Sequence, residues 1–531
     1  MITRRAFLDG LAGGAAGLAV GTTAKSYGQI LGSNDRLNFA VIGLNGRGYA
    51  HLSALKANRS AARISHVCDV DNNILRKFAD AVQRETGESP AMDKDFRAIL
   101  EQKDVDAITI ATPDHWHAPM AIAGLQAGKH VYVEKPCSHN PAEGQMLVQA
   151  QRKYGKLVQM GTQQRSSPHS IEIVEKIQGG IIGRPYLAKA WYSNVRKSIG
   201  TGKETPVPTQ LDWDLWQGPA PRRPYRDNVH PYNWHWFRNY GTGETLNNGT
   251  HEVDVCRWAL GVDYPKRVTS SGGRYQYKDD WQFYDTLVTS FEYEDKMLTW
   301  EGKSCQGMKF YDRDRGSAIM GTTGTVVVDR DGYEIYGLQG NKASEFKAGS
   351  TTSSSDLLGA DSMTDAHFAN FIAGIRKGEK LNAPISVGNI AVTMLQLSNI
   401  AWEVNRELHL DTKDGRIQDD PEALTRDFFP GQIIKVAYHV TKRGNLRNSN
   451  HVQLVAVANH FKILVAQSGS HVHQNEVIAH AQKVESLRDR AGKDASWRIV
   501  ALGSGNQIET AGMMGQETLQ QFRIEPIVVL D

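Results

Sequence analysis

The sequence predicts an α/β protein in two halves, a doubly wound parallel sheet followed by an α/β domain with an open, mainly antiparallel sheet. Three observations carry this expectation. Strand-like and helical runs alternate over residues 35–160. A glycine-rich turn joins the first strand to the first helix. Beyond about residue 185, strands follow one another across turns instead of helices.

In order, "LNFAVIGLNGRGYAHLSALKA" reads as strand, tight turn and helix. Strand "ARISHVCDVD", helices "NNILRKFADAVQRET" and "DFRAILEQ", strand "DAITIATP", helix "HAPMAIAGLQAG" and strand "HVYVEKP" follow. Past this half, "RPYLAKAWYSNVR", "KRVTSSGGRYQY", "DTLVTSFEYED", "KMLTWEGKS" and "GTVVVDRDGYEIY" are strand-like. A long aromatic stretch, residues 211–244, separates the first two of these. "TDAHFANFIAGIRKG" and "GNIAVTMLQLSNIAWEVNREL" are helices with apolar faces, preceded by a polar loop, "GSTTSSSDLLGADS". The expected division is an export signal over 1–30, a nucleotide-binding domain over 35–160 and a substrate-binding and oligomerisation domain over 161–436. Residues 437–531 form a tail to which no layer is assigned.

The 61 basic and 58 acidic side chains leave a formal charge of +3 with no long basic stripe, which argues against nucleic-acid binding. Cys68, Cys137, Cys256 and Cys305 are far apart and form no CxxC pair, so free thiols are expected. The opening "TRRAFLDGLAGGAAGLAVGTTA" carries Arg4-Arg5 and a short, glycine-rich apolar run. It is too short to span a bilayer, so no stable membrane insertion is expected. It resembles a twin-arginine signal, with a cleavage point after Ala24, and implies export to the periplasm or beyond of a protein already folded.

Gly43, Asn45, Gly46 and Gly48 lie where a dinucleotide pyrophosphate meets a helix N-terminus. Asn45 replaces the middle glycine of G-x-G-x-x-G and is expected to tolerate a left-handed backbone. Asp69 ends the next strand, where a carboxylate can bind both ribose hydroxyls of NAD and repel the extra phosphate of NADP. Together these define a Rossmann dinucleotide-binding domain. Thr112, Pro113 and His117, in "ATPDHWH", and Glu134, in "EKP", follow strands at their carboxyl ends, where ligands bind in such sheets. His115 and His117 lack an acidic cluster of matching spacing, so no metal is expected. "EKP" brings Lys135 to the mouth of the cofactor crevice, with Pro136 fixing the turn.

Through the glycine loop, "CDVD", "TPDHWH", "EKP" and "NNGTHEVD", residues 35–435 resemble the glucose–fructose oxidoreductase / inositol dehydrogenase / MocA (Gfo/Idh/MocA) family. The resemblance implies an NAD-binding domain followed by an α/β domain whose open sheet makes homo-oligomer contacts. It implies that Lys135 contacts the substrate hydroxyl and the cofactor side. The family's D-x-G-x-H places an acid/base histidine at His251 and its aspartate at Asn247, a departure. Asp254 or Glu252 would then be the support for His251, and Asp254 is also a candidate substrate contact. In "NWHWF", His235 and Trp236 are the candidate sugar contacts, the other aromatics packing the domain interface.

These readings converge on hydride transfer at a carbinol carbon of a sugar, polyol or glycoside, with a base for the hydroxyl proton. Export adds a condition, because free NAD is not expected outside the cytoplasm. A tightly held cofactor and a redox-neutral cycle meet it: a two-substrate oxidoreductase, an epimerase, or a glycoside hydrolase that oxidises, eliminates and reduces. A non-catalytic sugar-binding protein is the alternative that Asn247 keeps open.

Overall fold

A computed structural model describes residues 36–348 and 361–424, and the backbones of five short strands further along. The expected export signal lies outside the described residues, as does most of the polar loop before the helix Ser362–Lys377.

Six strands form the first sheet: β1 Leu37–Ile42, β2 Ala62–Cys68, β3 Ala91–Asp93, β4 Ala107–Ile110, β5 His130–Val133 and β6 Val158–Met160. All pair in parallel, in the order β3-β2-β1-β4-β5-β6. The order reverses between β1 and β4, so a crevice opens at their carboxyl ends. Short β3 and β6 were not anticipated from the sequence, because three residues carry no periodic signal. The helix Asn72–Thr86 starts where Asp71 accepts from the N–H groups of Asn73 and Ile74, and stops at Gly87 with φ 78°.

The second sheet contains β7 Pro185–Val195, β8 Arg267–Gly273, β9 Thr286–Glu292, β10 Met297–Lys303, β11 Cys305–Gln306, β12 Arg315–Gly321, β13 Gly324–Val328, β14 Gly332–Gly337, β15 Lys342–Lys347 and β16 Leu408–His409. Its order is β15-β14-β13-β12-β7-β10-β9-β8-β16, with β11 on β7. Every pair is antiparallel except β7 with β10. The run "GTVVVDRDGYEIY" divides into β13 and β14 about a hairpin at Asp329–Asp331. Helices Gly249–Leu260 and Ile385–Val404 cover one face, burying Val253, Val392 and Leu395 with Leu298 and Trp300 of the sheet. On the other face Val288 and Met297 are 48% and 39% exposed.

The aromatic stretch makes a small core of its own, in which Trp213 and Trp216 stack at 4.6 Å and Tyr225, Phe237 and Tyr240 pack around them. In the tail, β17 His451–Ala456 pairs with β18 Leu464–Gly469, and β19 Ile499–Leu502 lies between β20 Ile508–Ala511 and β21 Val528–Leu530.

One helix crosses the halves. Ser362–Lys377 follows the second sheet in sequence but packs on the first, where Phe368 and Phe371 join Phe39, Val41 and Tyr132. Phe368 stacks on Tyr132 at 4.3 Å and is fully buried. Phe368→Ala should therefore cost about 3–5 kcal/mol of unfolding free energy. Denaturant melts measure this, and a loss under about 1 kcal/mol would mean that the helix is not anchored there.

Candidate active site

The carboxyl ends of β1, β2, β4 and β5 open into a cleft of about 460 Å³ that the aromatic stretch and the second sheet close from the far side. Of the expected residues, Gly43, Asn45, Gly46, Asp69, Thr112, Pro113, His117, Glu134, Lys135, His235, Asn247 and His251 line it.

The glycine loop fits a dinucleotide. Gly43 has φ 83°, and a Cβ there would stand 2.6 Å from the Ala111 carbonyl group. Gly46, with φ 42°, opens the helix Arg47–Ala57. Gly48 lies inside that helix, off the cleft, where a Cβ would meet the Gly43 carbonyl oxygen at 2.7 Å. Its bareness therefore serves helix–strand approach. The left-handed positions fall on Gly43 and Gly46, so the angle expected of Asn45 is not needed, and its side chain is exposed to the cleft. The Asp69 carboxylate accepts from Leu44 N at 2.9 Å and Asp71 N at 3.0 Å. Burial pushes its pKa up to about 6 against those two N–H groups. The Thr112 hydroxyl is buried without a partner, a donor available to a ligand. Loop, carboxylate and hydroxyl suit an adenosine–pyrophosphate held along β1 and β2.

At the β5 end, Glu134 is buried between Arg47 Nε at 2.7 Å and His51 Nε2 at 3.0 Å. Burial alone would raise its pKa, but the Arg47 charge and the His51 hydrogen bond hold it well below the carboxylate range. His117 ties two turns together, its Nδ1 2.6 Å from the Pro136 carbonyl and its Nε2 2.7 Å from that of Thr112. Lys135 is joined to Pro136 by a cis peptide bond. Its Nζ donates to the Asn247 backbone carbonyl and, at 3.1 Å, to Asn247 Oδ1. Burial lowers its pKa to about 8, with Glu134 and Asp114 opposing.

The amide of Asn247 is used at both ends, because its Nδ2 donates to Glu244 Oε1 at 3.4 Å. Glu244 is itself paired with Arg196. An aspartate at 247 would set two carboxylates against each other, which is a physical reason for the asparagine.

His251 is 5% exposed, and no hydrogen bond reaches its imidazole among the described residues. Burial first, then the charges of Arg330, Lys135 and Arg315, push its pKa well below the usual histidine value. Neither expected support reaches it. Glu252 binds Arg315 at 2.7 Å. Asp254 is buried off the cleft, holding Arg165 at 2.5 and 2.9 Å and Arg257 at 3.5 Å. Asp254 is thus a partner of Arg165, from the turn beyond β6, and of Arg257 on its own helix, not a wall of the cleft. Trp236 also lies off it, stacked on Trp281 at 3.9 Å with the Arg196 guanidinium against its ring. His235 does face the cleft, its Nδ1 2.6 Å from the Tyr232 carbonyl and its ring stacked on Trp234 at 3.6 Å.

Arg47, Tyr192, Arg196, Trp216, Tyr232, Trp234, Arg315 and Arg330 also line the cleft and were not anticipated. Arg47 was inside the quoted loop. Trp216, Tyr232 and Trp234 belong to the aromatic stretch, where spacing does not separate cleft rings from packed ones, and the rest come from strands and hairpins whose sequences signal only secondary structure.

Two family descriptions match the chain in tandem: "Oxidoreductase family, NAD-binding Rossmann fold" of the Gfo/Idh/MocA group over residues 37–162, and the same group's "Oxidoreductase family, C-terminal alpha/beta domain" over 191–427. Together they cover well over half of it. The chain belongs to the Gfo/Idh/MocA oxidoreductase family. Residues 37–162 are an NAD-binding Rossmann domain. An inositol 2-dehydrogenase of Rubrobacter xylanophilus is 30% identical over 174 residues, 33% of this chain and 48% of that one. A glycosyl hydrolase family 109 protein of Shewanella baltica is 25% identical over 211 residues, 36% of this chain and 46% of that one. The chain therefore spans about half the length of each of these relatives. The crystal structure of an NAD binding oxidoreductase from Klebsiella pneumoniae shares the fold, with a TM-score of 0.55 at 19% identity over 71% of this chain and 99% of that one.

The lowered pKa of Lys135 has a consequence for stability. Between about 8 and 10.5, its folded and ordinary values, the unfolded chain binds a proton that the folded one does not, so this lysine's contribution to stability rises with pH. Below that window the penalty is fully present. In paired thermal melts, the stability of Lys135→Met relative to wild type should fall as pH climbs through the window. A difference constant with pH would mean that the buried ammonium carries no penalty.

Proposed function

We propose that this protein is an exported, NAD-dependent oxidoreductase that moves a hydride at a carbinol carbon of a sugar or polyol and holds its cofactor through the cycle. The observation that supports this best is the meeting of His251, Lys135 and Asn247 in one cleft with the glycine loop and Asp69. Bound NAD supplies the hydride acceptor or donor at its nicotinamide. His251, kept neutral, can take the hydroxyl proton as hydride leaves and give it back when hydride returns. Lys135, charged below about pH 8, can donate to the same oxygen and stabilise its developing negative charge. The amide of Asn247 holds the ammonium in place. His235, whose Nδ1–H is given to the Tyr232 carbonyl, offers Nε2 as an acceptor, and the ring of Trp234 offers a flat face to a sugar.

A second reading is favoured by the family 109 relative, whose name is that of a glycosyl hydrolase. Oxidation of a ring carbon, elimination of the glycosidic oxygen, addition of water across the double bond so formed and return of the hydride would hydrolyse a glycoside and consume no NAD. Export, supported by Arg4-Arg5 and the glycine-rich run behind them, makes a redox-neutral cycle of either kind the fitting form. The partly exposed face of the second sheet, with Val288 and Met297, is a surface for homo-oligomer contacts.

Purified protein should release NAD on denaturation, identified by mass. It should turn over its substrate repeatedly without added NAD and without net NADH. His251→Ala should keep the nucleotide and lose about 10²–10⁴-fold in kcat. A requirement for added NAD, with NADH released in proportion to product, would remove the held-cofactor reading. Undiminished kcat in the variant would remove the base.

Replacing Arg4 and Arg5 by lysines should retain the protein in the cytoplasm on cell fractionation. Unchanged export would discard the twin-arginine route.

A further inference from the structure

Arg330 stands at the tip of the β13–β14 hairpin. The hairpin is rigid: Asp329 Oδ1 accepts from the N–H groups of Asp331 at 2.8 Å and Gly332 at 3.0 Å, and Asp329 N donates to the Gly332 carbonyl at 3.0 Å. Arg313 holds the other Asp329 oxygen at 2.7 Å, and His169 donates to the Asp329 carbonyl at 3.1 Å. The Arg330 side chain is thereby carried into the cleft, only 9% exposed.

Every other arginine of the cleft has a carboxylate: Arg47 has Glu134, Arg97 has Asp95, Arg196 has Glu244 and Arg315 has Glu252. Arg330 forms no hydrogen bond or ion pair among the described residues. Burying an unpaired charge costs stability, and it persists where a ligand supplies the missing partner. Burial, then repulsion from Arg315, pushes the Arg330 pKa down to about 9, the direction an anion would reverse.

The position selects which anion. The cofactor's pyrophosphate belongs at Gly46, the start of the helix Arg47–Ala57, whereas the charge of Arg330 is felt by Lys135 and His251, at the reacting end. One unpaired guanidinium matches a single negative charge, and its planar fork fits a carboxylate by two parallel hydrogen bonds.

We propose that the substrate is a sugar acid, a uronate or aldonate, whose carboxylate binds Arg330 and sets its carbinol carbon toward Lys135 and His251. This rests on the sugar-oxidoreductase reading and narrows it. An anion there would also offset the charge that most strongly disfavours a proton on His251, so the correct substrate would strengthen its own base.

The test is calorimetric titration of the NAD-loaded protein with D-glucuronate, D-galacturonate and D-gluconate. Each is paired with its neutral counterpart, D-glucose, D-galactose or D-glucitol. At least one acid should bind about 10–100-fold more tightly than its counterpart. Arg330→Met should bring that ratio close to one, and Arg330→Lys, which keeps the charge but not the fork, should retain part of it. Without sugar, Arg330→Met should melt no lower than wild type, because it removes an unpaired charge and keeps the packing. The proposal is overturned if no acid outbinds its counterpart, or if the advantage survives in Arg330→Met or is lost equally in Arg330→Lys. Nicotinamide absorbance in the same samples separates the two claims. A bound acid that never changes it leaves the carboxylate site standing and removes hydride transfer. Transfer from neutral sugars with no preference for acids does the reverse.

Discussion

The carboxylate of Glu134 lies at the end of β5, buried, between the Arg47 guanidinium and the His51 imidazole, and much of the cleft takes its shape from this contact. Arg47 begins the helix behind the glycine loop, so the ion pair clamps the pyrophosphate end of the crevice to the strand that presents Lys135. His51 passes the constraint inward, because its Nε2–H donates to Glu134 while its Nδ1 accepts from the Thr109 hydroxyl at 3.1 Å on β4. Gln163, from the chain beyond β6, adds a bond at 3.3 Å. Gly161 is bare because a Cβ there would stand 2.6 Å from the carboxylate. Removing one partner of such a buried pair typically costs about 3–5 kcal/mol, because the other charge is left without compensation.

Across the cleft a second chain of contacts holds the reacting groups. Lys135 is bound by Asn247, Asn247 by Glu244, and Glu244 by Arg196. The negative charge that the family motif carries on its aspartate sits one step back here, on Glu244. Lys135 is left with neutral acceptors in a buried place, and its ammonium is correspondingly easier to deprotonate. His251 receives no supporting carboxylate and is surrounded by cations. Burial first, and then those cations, hold its pKa down.

The two sheets meet through long-range exchanges. Ser362–Lys377 packs on the first sheet, the aromatic stretch contributes Trp216, Tyr232 and Trp234 to the cleft, and the β13–β14 hairpin reaches in with Arg330. The far side of the cleft is thus built from segments distant in sequence, each held by a small core or a tight turn of its own.

The sequence by itself determined the parallel half-sheet, through alternating strand and helix periods, and the nucleotide end of the cleft. There the loop from Gly43 to Gly48, Asp69 and the turn at Lys135 are local features, readable because each is required by the backbone around it. His251 and Asn247 were legible through a short motif that runs from the end of the helix Gly243–Asn247 into the helix Gly249–Leu260. The tertiary structure alone decided the rest. Asp254 looked available next to His251, yet the helix turns it onto Arg165 and Arg257. Trp236 looked like a sugar platform, yet Trp281 covers it. Arg330 fell inside a run read only as strand-like, and only packing shows it buried without a carboxylate. Spacing along a chain specifies which face a residue takes, but whether a charge is paired depends on groups brought from distant segments, and no local pattern encodes them.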